Sequence, residues 1–167
     1  MRSLLGNGVT LEPQEASHAA ELYFVISDPE LYRFTDNKEP ASVAALRERL
    51  QRLESRRSPD GRERWLNWVV RNSESQLVGY VQATVAAGGS AEIAYVFGRA
   101  HWRRGYAYAA CVAMVNELRV HYGVSRITAT LDPANTASVA LLGKLGLVEV
   151  WSNTAEEEVG YALELTD

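Results

Sequence analysis

The sequence predicts a single mixed α/β domain, on three observations. Short stretches that alternate apolar and polar residues are interleaved with stretches whose apolar residues recur every three to four positions, the strand and helix periods. A chain of 167 residues is long enough to bury a sizeable core as one domain. Hydrophobic content of 47% with 23% charged residues is that of an ordinary globular protein, neither disordered nor membrane-embedded.

Taken in order, residues 8–12 alternate as a first strand. Ala19, Leu22, Tyr23 and Ile26 share one side of a helix over 15–26, which Asp28-Pro29 interrupts, and 30–34 form a further short helical turn. Ser42 is the N-cap of a helix over 43–57 with an apolar stripe of Leu46, Leu50 and Leu53. Arg47, Arg49, Arg52, Arg56 and Arg57 decorate the rest of that helix, as a solvated basic face or a contact for an acidic substrate. After the turn Ser58-Pro59-Asp60-Gly61, strands over 64–71 and 77–85 are joined by a hairpin connection, Asn72 to Ser75. Residues 87–90 turn the chain into a central strand over 93–97. A tight basic loop, His101 to Ala107, then opens a long helix with Cys111, Val115, Leu118 and Tyr122 on one face. A β-branched strand over 126–131 follows, then a helix over 135–145 closed by Gly146, then strands over 147–151 and 159–165. Pattern alone leads no further than mixed α/β.

Composition narrows the function classes. A net charge of −4 and a pI near 5.5 argue against a general nucleic-acid binder, which needs a basic surface. The single Cys111 allows neither an intrachain disulfide nor a cysteine-based metal site. No His, Asp or Glu cluster has metal-ligand spacing, so no metal is expected. No apolar run reaches membrane-span length and the N-terminus lacks a signal-peptide core. A cytoplasmic protein without membrane contact is expected, as a monomer or homodimer.

The chemistry concentrates in the strand, glycine loop and helix start of residues 93–118. The first N–H groups of a helix have no intrahelical partner, and the helix dipole adds partial positive charge beside them. Gly105 lets the backbone approach a ligand, Ala107 leaves the next amide unobstructed, and Arg103 and Arg104 add charge, so the loop suits a phosphate. It is neither a Walker loop nor a three-glycine dinucleotide fingerprint.

Trp102-Arg103-Arg104-Gly105-Tyr106-Ala107 resembles the acetyl-coenzyme A loop of the GNAT family of N-acetyltransferases, Gln/Arg-x-x-Gly-x-Gly/Ala. Trp102 departs from that general form and is similar to the ribosomal-protein N-terminal acetyltransferase (Rim-type) branch. Asp132-Pro133-Ala134-Asn135-Thr136-Ala137-Ser138 and Lys144-Leu145-Gly146 resemble two further segments of that branch. Ala109 and Gly143 depart from it, and Gly143 costs helix α-structure about 1 kcal/mol relative to alanine. The resemblance covers residues 90–150 strongly and the flanks weakly.

The resemblance implies a GNAT fold. Its mixed, mostly antiparallel sheet has six to seven strands, splays between the fourth and fifth, and is flanked by about four helices. It implies acetyl-CoA as acyl donor, coenzyme A as product, and direct attack by a primary amine. Cofactor contacts carried over fall on Val96, Phe97, Trp102, Arg103, Arg104, Gly105, Tyr106, Ala107, Asn135 and Ser138. Glu92 is implied as general base, directly or through water, and Ser138 as the acid that protonates the departing thiolate. The Val96 N–H is implied to polarise the thioester carbonyl. Asn135 and Ser138 also suit a plain helix N-cap, and Tyr106 and Tyr108 are alternative proton donors. Trp65, Trp68, Trp151 and Tyr95 either line an acceptor pocket or pack in the core, and at most one of Trp65 and Trp68 can face a given pocket. His101 is expected to be a solvent-exposed loop residue, and Cys111 an inert core residue. The acceptor is a protein or peptide N-terminus, or a small amine such as an amino acid, polyamine or antibiotic. A coenzyme-A-binding module without transferase activity is the reading from another class.

Overall fold

The period-two segments pair into one eight-stranded sheet in the computed structural model, which describes residues 1–165. The last two residues of the domain expected over 1–167 lie outside the described residues. The strands are β1 (Leu4–Gly6), β2 (Val9–Pro13), β3 (Arg64–Asn72), β4 (Leu77–Val85), β5 (Ser90–Phe97), β6 (Arg126–Leu131), β7 (Val148–Asn153) and β8 (Glu158–Glu164), in spatial order β1-β2-β3-β4-β5-β6-β8-β7. Every pair is antiparallel except β5–β6. Four helices flank the sheet: α1 (Ala19–Ile26), α2 (Val43–Leu53), α3 (Tyr106–Tyr122) and α4 (Thr136–Leu145).

The sheet exceeds the expected six to seven strands because the chain opens with a hairpin. Leu4 to Gly6 pairs with Val9 to Leu11 around a tight turn in which Gly8 takes a φ of +74°. The helix expected over 43–57 stops at Leu53. Its apolar stripe ends there, and Arg56 then adopts a φ of 58° that turns the chain back toward β3. The Ser42 cap is present, its Oγ accepting from the Ala45 N–H at 3.0 Å. Gly146, with a φ of 91°, ends α4 in a left-handed cap whose bonds run from the Leu147 N–H to the Leu142 carbonyl and from Gly146 to Gly143.

Both faces of the sheet are covered, so the central strands are apolar on consecutive residues. Trp68 and Val70 of β3 pack with Met114 and Leu118 of α3 on one face. Val69 packs with Leu22 and Ile26 of α1 and Leu46 and Leu50 of α2 on the other. Full burial of each such leucine stabilises the fold by roughly 1.5–3 kcal/mol. The N-terminal segment is tied to α3 by a buried carboxylate. Glu117, 3% exposed, accepts from the Arg2 guanidinium at 2.7 Å and lies 3.1 Å from His121. The Trp68 indole N–H donates to the Arg2 carbonyl at 3.0 Å.

The feature that positions the site is the parallel pair. β5 and β6 are in register only over Ser90↔Arg126, Ala91↔Ile127 and Glu92↔Thr128. Beyond Glu92 the strands diverge, β5 staying with β4 and β6 with β8. This is the splay expected between the fourth and fifth strands, counted from β2, the strand expected over 8–12.

Candidate active site

The divergence of β5 and β6 opens a cavity of about 350 Å³ that passes through the sheet. Tyr95, Asn135, Ser138 and Leu142 line it on the α3–α4 side, and Tyr32, Arg49, Tyr80 and Val96 on the α1–α2 side. The exposed loop over 33–42, between α1 and α2, contributes Phe34, Thr35 and Asn37 to its rim.

Backbone hydrogen bonding decides which amides face the gap. The Gly98 N–H donates to the Val78 carbonyl and the Ala86 N–H to the Ser90 carbonyl, each at 2.9 Å. Antiparallel ladders alternate, so in this register Val96 is hydrogen-bonded to Tyr80, whereas Tyr95 and Phe97 turn their main-chain groups toward β6. The Val96 amide is therefore unavailable for the carbonyl-polarising role expected of it. The amides of Tyr95 and Phe97 hold the free edge, and Val96 lines the cavity by its side chain. Gly79 permits this geometry: a Cβ there would lie 2.3 Å from the Val96 carbonyl oxygen and 2.7 Å from the Phe97 ring.

At the end of β5 the chain forms the basic loop. The Trp102 indole N–H donates to the Phe97 carbonyl at 2.8 Å, which folds the loop against the strand it left. Arg103 (φ 60°) and Gly105 (φ 80°) are both left-handed, and Gly105 is the N-cap of α3 with no side-chain cap and no acidic residue in the first turn. The first intrahelical bond runs from Ala109 to the Gly105 carbonyl. The amides of Tyr106, Ala107 and Tyr108 thus lead toward solvent beside two exposed arginines, and nothing lies within 4 Å of the place a Gly105 Cβ would occupy. An uncapped helix start with open space above it and positive charge beside it fits a phosphate. His101 is half-buried, not solvent-exposed: its ring tilts against Tyr106, and burial and then Arg104 push its pKa down.

On α4 the cap and the site coincide. Asn135 Oδ1 accepts from the Ser138 N–H at 3.2 Å, an ordinary N-cap, while both residues line the cavity. The buried Tyr95 hydroxyl lies beside the Ser138 side chain. Burial pushes its pKa up to about 12, with Ser138 opposing the shift, so Tyr95 is a neutral donor aimed into the gap. Tyr95 is the one aromatic of the expected four that reaches the cavity. Trp68 is core. The Trp65 indole N–H is held by Glu63 at 3.0 Å, and Trp151 lies over Gly160 on the β7–β8 edge. Cys111 is fully buried with its thiol pKa raised to about 12 by desolvation, an inert core residue as expected.

Glu92 is not brought into the cavity. It shares a sheet face with Ala94 and Val96 but is exposed where β5 and β6 are still paired, flanked by Thr84 and Thr128. At about 3.3 Å per residue it begins roughly 7 Å from Ala94 along the strand. The cavity-lining residues include no carboxylate; Arg49 is their one charged side chain. Sequence reasoning missed Tyr32, Tyr80 and Gln82, and named Arg49 only as one of five arginines on its helix that either form a solvated face or contact an acidic substrate.

A split parallel pair beside an uncapped, glycine-bearing helix start defines a coenzyme-A-dependent acyltransferase. The acetyltransferase (GNAT) domain family matches residues 9–148, and the chain belongs to it: it is an acetyl-CoA-dependent N-acetyltransferase. An uncharacterized N-acetyltransferase, p20, of Bacillus licheniformis is 27% identical over 147 residues, 87% of this chain and 82% of that one. Among solved structures, Mycobacterium smegmatis RimJ in complex with CoA-disulfide superposes with a TM-score of 0.83 at 21% identity, over 97% of this chain and 85% of that one. Spermidine N-acetyltransferase from Vibrio cholerae, in complex with CoA and spermine, gives 0.81 at 16% identity, over 94% and 95%. Among the described residues no group of three or more His, Cys, Asp or Glu could hold a metal ion, and no helix is long and apolar enough to cross a membrane.

Proposed function

We propose that the protein acetylates the free N-terminus of a protein or peptide. The observation that carries this reading is the cavity through the sheet, which joins the free edge of β5 to an opening under the exposed loop over 33–42. An extended chain can lay its terminal amine there while the rest stays outside. The Rim-type motifs around Asn135 and Lys144 support the same acceptor.

Acetyl-CoA, when bound, supplies the acetyl thioester. The amides of Tyr106, Ala107 and Tyr108, with Arg103 and Arg104, are suited to hold its phosphates; Asn135 and the edge amides of β5 are suited to hold its arm. The Tyr95 or Phe97 amide, rather than that of Val96, is the donor directed at a carbonyl in the gap. A base is needed because an ammonium ion has no lone pair, but an α-amine with a pKa near 7.7–8.0 is already partly neutral. Glu92, too far along β5 for direct transfer, takes the proton through water. Ser138, beside the Tyr95 hydroxyl, delivers a proton to the thiolate as it leaves. The rest of the rate comes from holding amine and thioester together in one gap.

The test is an acceptor panel followed by free-thiol release from acetyl-CoA. Peptides with a free N-terminus should release thiol, and the same peptides blocked at the N-terminus but carrying lysine should not. Equal rates for the two sets would overturn the N-terminal reading.

A further inference from the structure

The acceptor side of the cavity carries a charge that neither the acetyl chemistry nor coenzyme A binding uses. Arg49 lies on α2, about 60° around the helix from the stripe residue Leu46, so it flanks the buried face while Arg47 and Arg52 point further outward. Its guanidinium lies beside the Tyr80 phenol, whose pKa burial raises against a smaller opposing effect of Arg49, and within electrostatic reach of Tyr32. Tyr80 pairs with Val96 across the β4–β5 ladder, so Arg49 stands one tyrosine side chain away from the free edge of β5.

Three facts give this arginine a ligand rather than a packing role. It lines the cavity, and it has no carboxylate within ion-pair distance among the described residues, unlike Arg71 and Arg126. Glu39 acts electrostatically on Tyr32 but does not line the cavity. The cofactor's phosphates are expected at the start of α3, where Tyr106 and Ala107 pack with the cluster on the sheet face opposite α2.

We propose that Arg49, with the Tyr80 phenol beside it, forms a subsite for a carboxylate carried by the acceptor close to its reacting amine. The proposal rests on the transferase reading above and narrows its substrate: the favoured acceptor is a peptide with an acidic residue next to its N-terminus. The Tyr32 O–H is already donated to the Ile26 carbonyl at 2.8 Å, while a guanidinium with a phenol O–H beside it matches a carboxylate's oxygens. The same group in a cavity without any lining acid repels a polycation, so polyamines are poor acceptors. A free amino acid presents the same chemistry through its α-carboxylate, and the experiment separates the two sources.

The test uses the full chain, with Arg49→Gln and the charge reversal Arg49→Glu. Acceptors are tripeptide amides that differ only in a second residue of Glu, Gln or Lys, together with free serine and serinamide. Thiol release gives kcat and KM, and calorimetry measures the N-acetylated Glu and Gln tripeptides binding to the coenzyme A complex. Wild type should favour the Glu over the Gln peptide by about threefold to fivefold, mainly in KM, the scale of one exposed charge pair. Arg49→Gln should erase that preference and Arg49→Glu should turn it toward the Lys peptide, with coenzyme A affinity unchanged in both. A preference for serine over serinamide, without one for Glu over Gln, keeps the subsite and makes the free amino acid its occupant. Equal turnover of all acceptors, or a preference that survives in Arg49→Gln, overturns the subsite and leaves the transferase reading intact. Arg49-dependent binding of the acetylated Glu peptide with no thiol release from any amine keeps the subsite and overturns the peptide-acetylating reading.

Discussion

Gly105 carries two requirements at once, a left-handed φ of 80° and open space where a ligand's charge would sit. A glutamate there meets both badly: the side chain is strained in that region, and its charge opposes a phosphate. Gly105→Glu should abolish coenzyme A binding in calorimetry while leaving the fold, followed by circular dichroism, intact. Retained affinity would remove the phosphates from this loop. The position of Glu92 makes a different demand. If it relays a proton through water, Glu92→Gln should lower kcat/KM by about 10²-fold at neutral pH, the scale of general-base catalysis. The deficit should narrow as pH rises and free amine forms unaided, and coenzyme A affinity should hold. A near-wild-type rate at pH 7 would retire Glu92 as base.

At the scale of elements, α4 and β5 show how packing and site share residues. The N-cap of α4 both secures the helix and delivers Asn135 and Ser138 to the gap, because positions i and i+3 fall on one face. Gly143 weakens the same helix without being required by its geometry: it is exposed, and a Cβ there would meet nothing within 4 Å. Gly143→Ala should therefore raise stability by about 1 kcal/mol in a urea melt, with no change in coenzyme A affinity. A destabilised variant would mean that the glycine serves a contact absent from the helix itself. Much of this element was legible in sequence, since caps and helix faces depend on neighbours a few residues apart. The direction of the Val96 amide was not, because the ladder with β4 sets it.

Across the whole molecule, Arg71 at the end of β3 joins sheet and helix. It donates to Glu21 of α1 through two bonds of 2.8 Å and to Glu12 of β2 at 3.0 Å. The hydrogen bond to Arg71, the largest influence, holds the Glu21 carboxyl below its usual range, against a smaller opposing effect of burial. A carboxylate with a lowered folded pKa stabilises the protein above its unfolded value of about 4.3 and loses that contribution as pH falls toward the folded value. Wild type should lose more stability between pH 6 and pH 3 than Glu21→Gln does, in urea melts at each pH. Parallel losses would show that the solvent-exposed pair contributes nothing measurable.

The sequence by itself determined nearly every element and carried the motifs that resemble the family, because those signals are local: a glycine before a helix, an N-cap, a period of two or 3.6. The three-residue strand β1 and the early end of α2 at Leu53 escaped it, since so short a strand and a turn at Arg56 leave little pattern. Only the tertiary structure decided that Trp68 is core and Tyr95 lines the gap, that Glu92 stands outside the cavity, and that Arg49 stands over Tyr80. Each of these depends on a register or on the packing of a helix across a sheet. Such relations join residues dozens of positions apart, and chain spacing does not encode them.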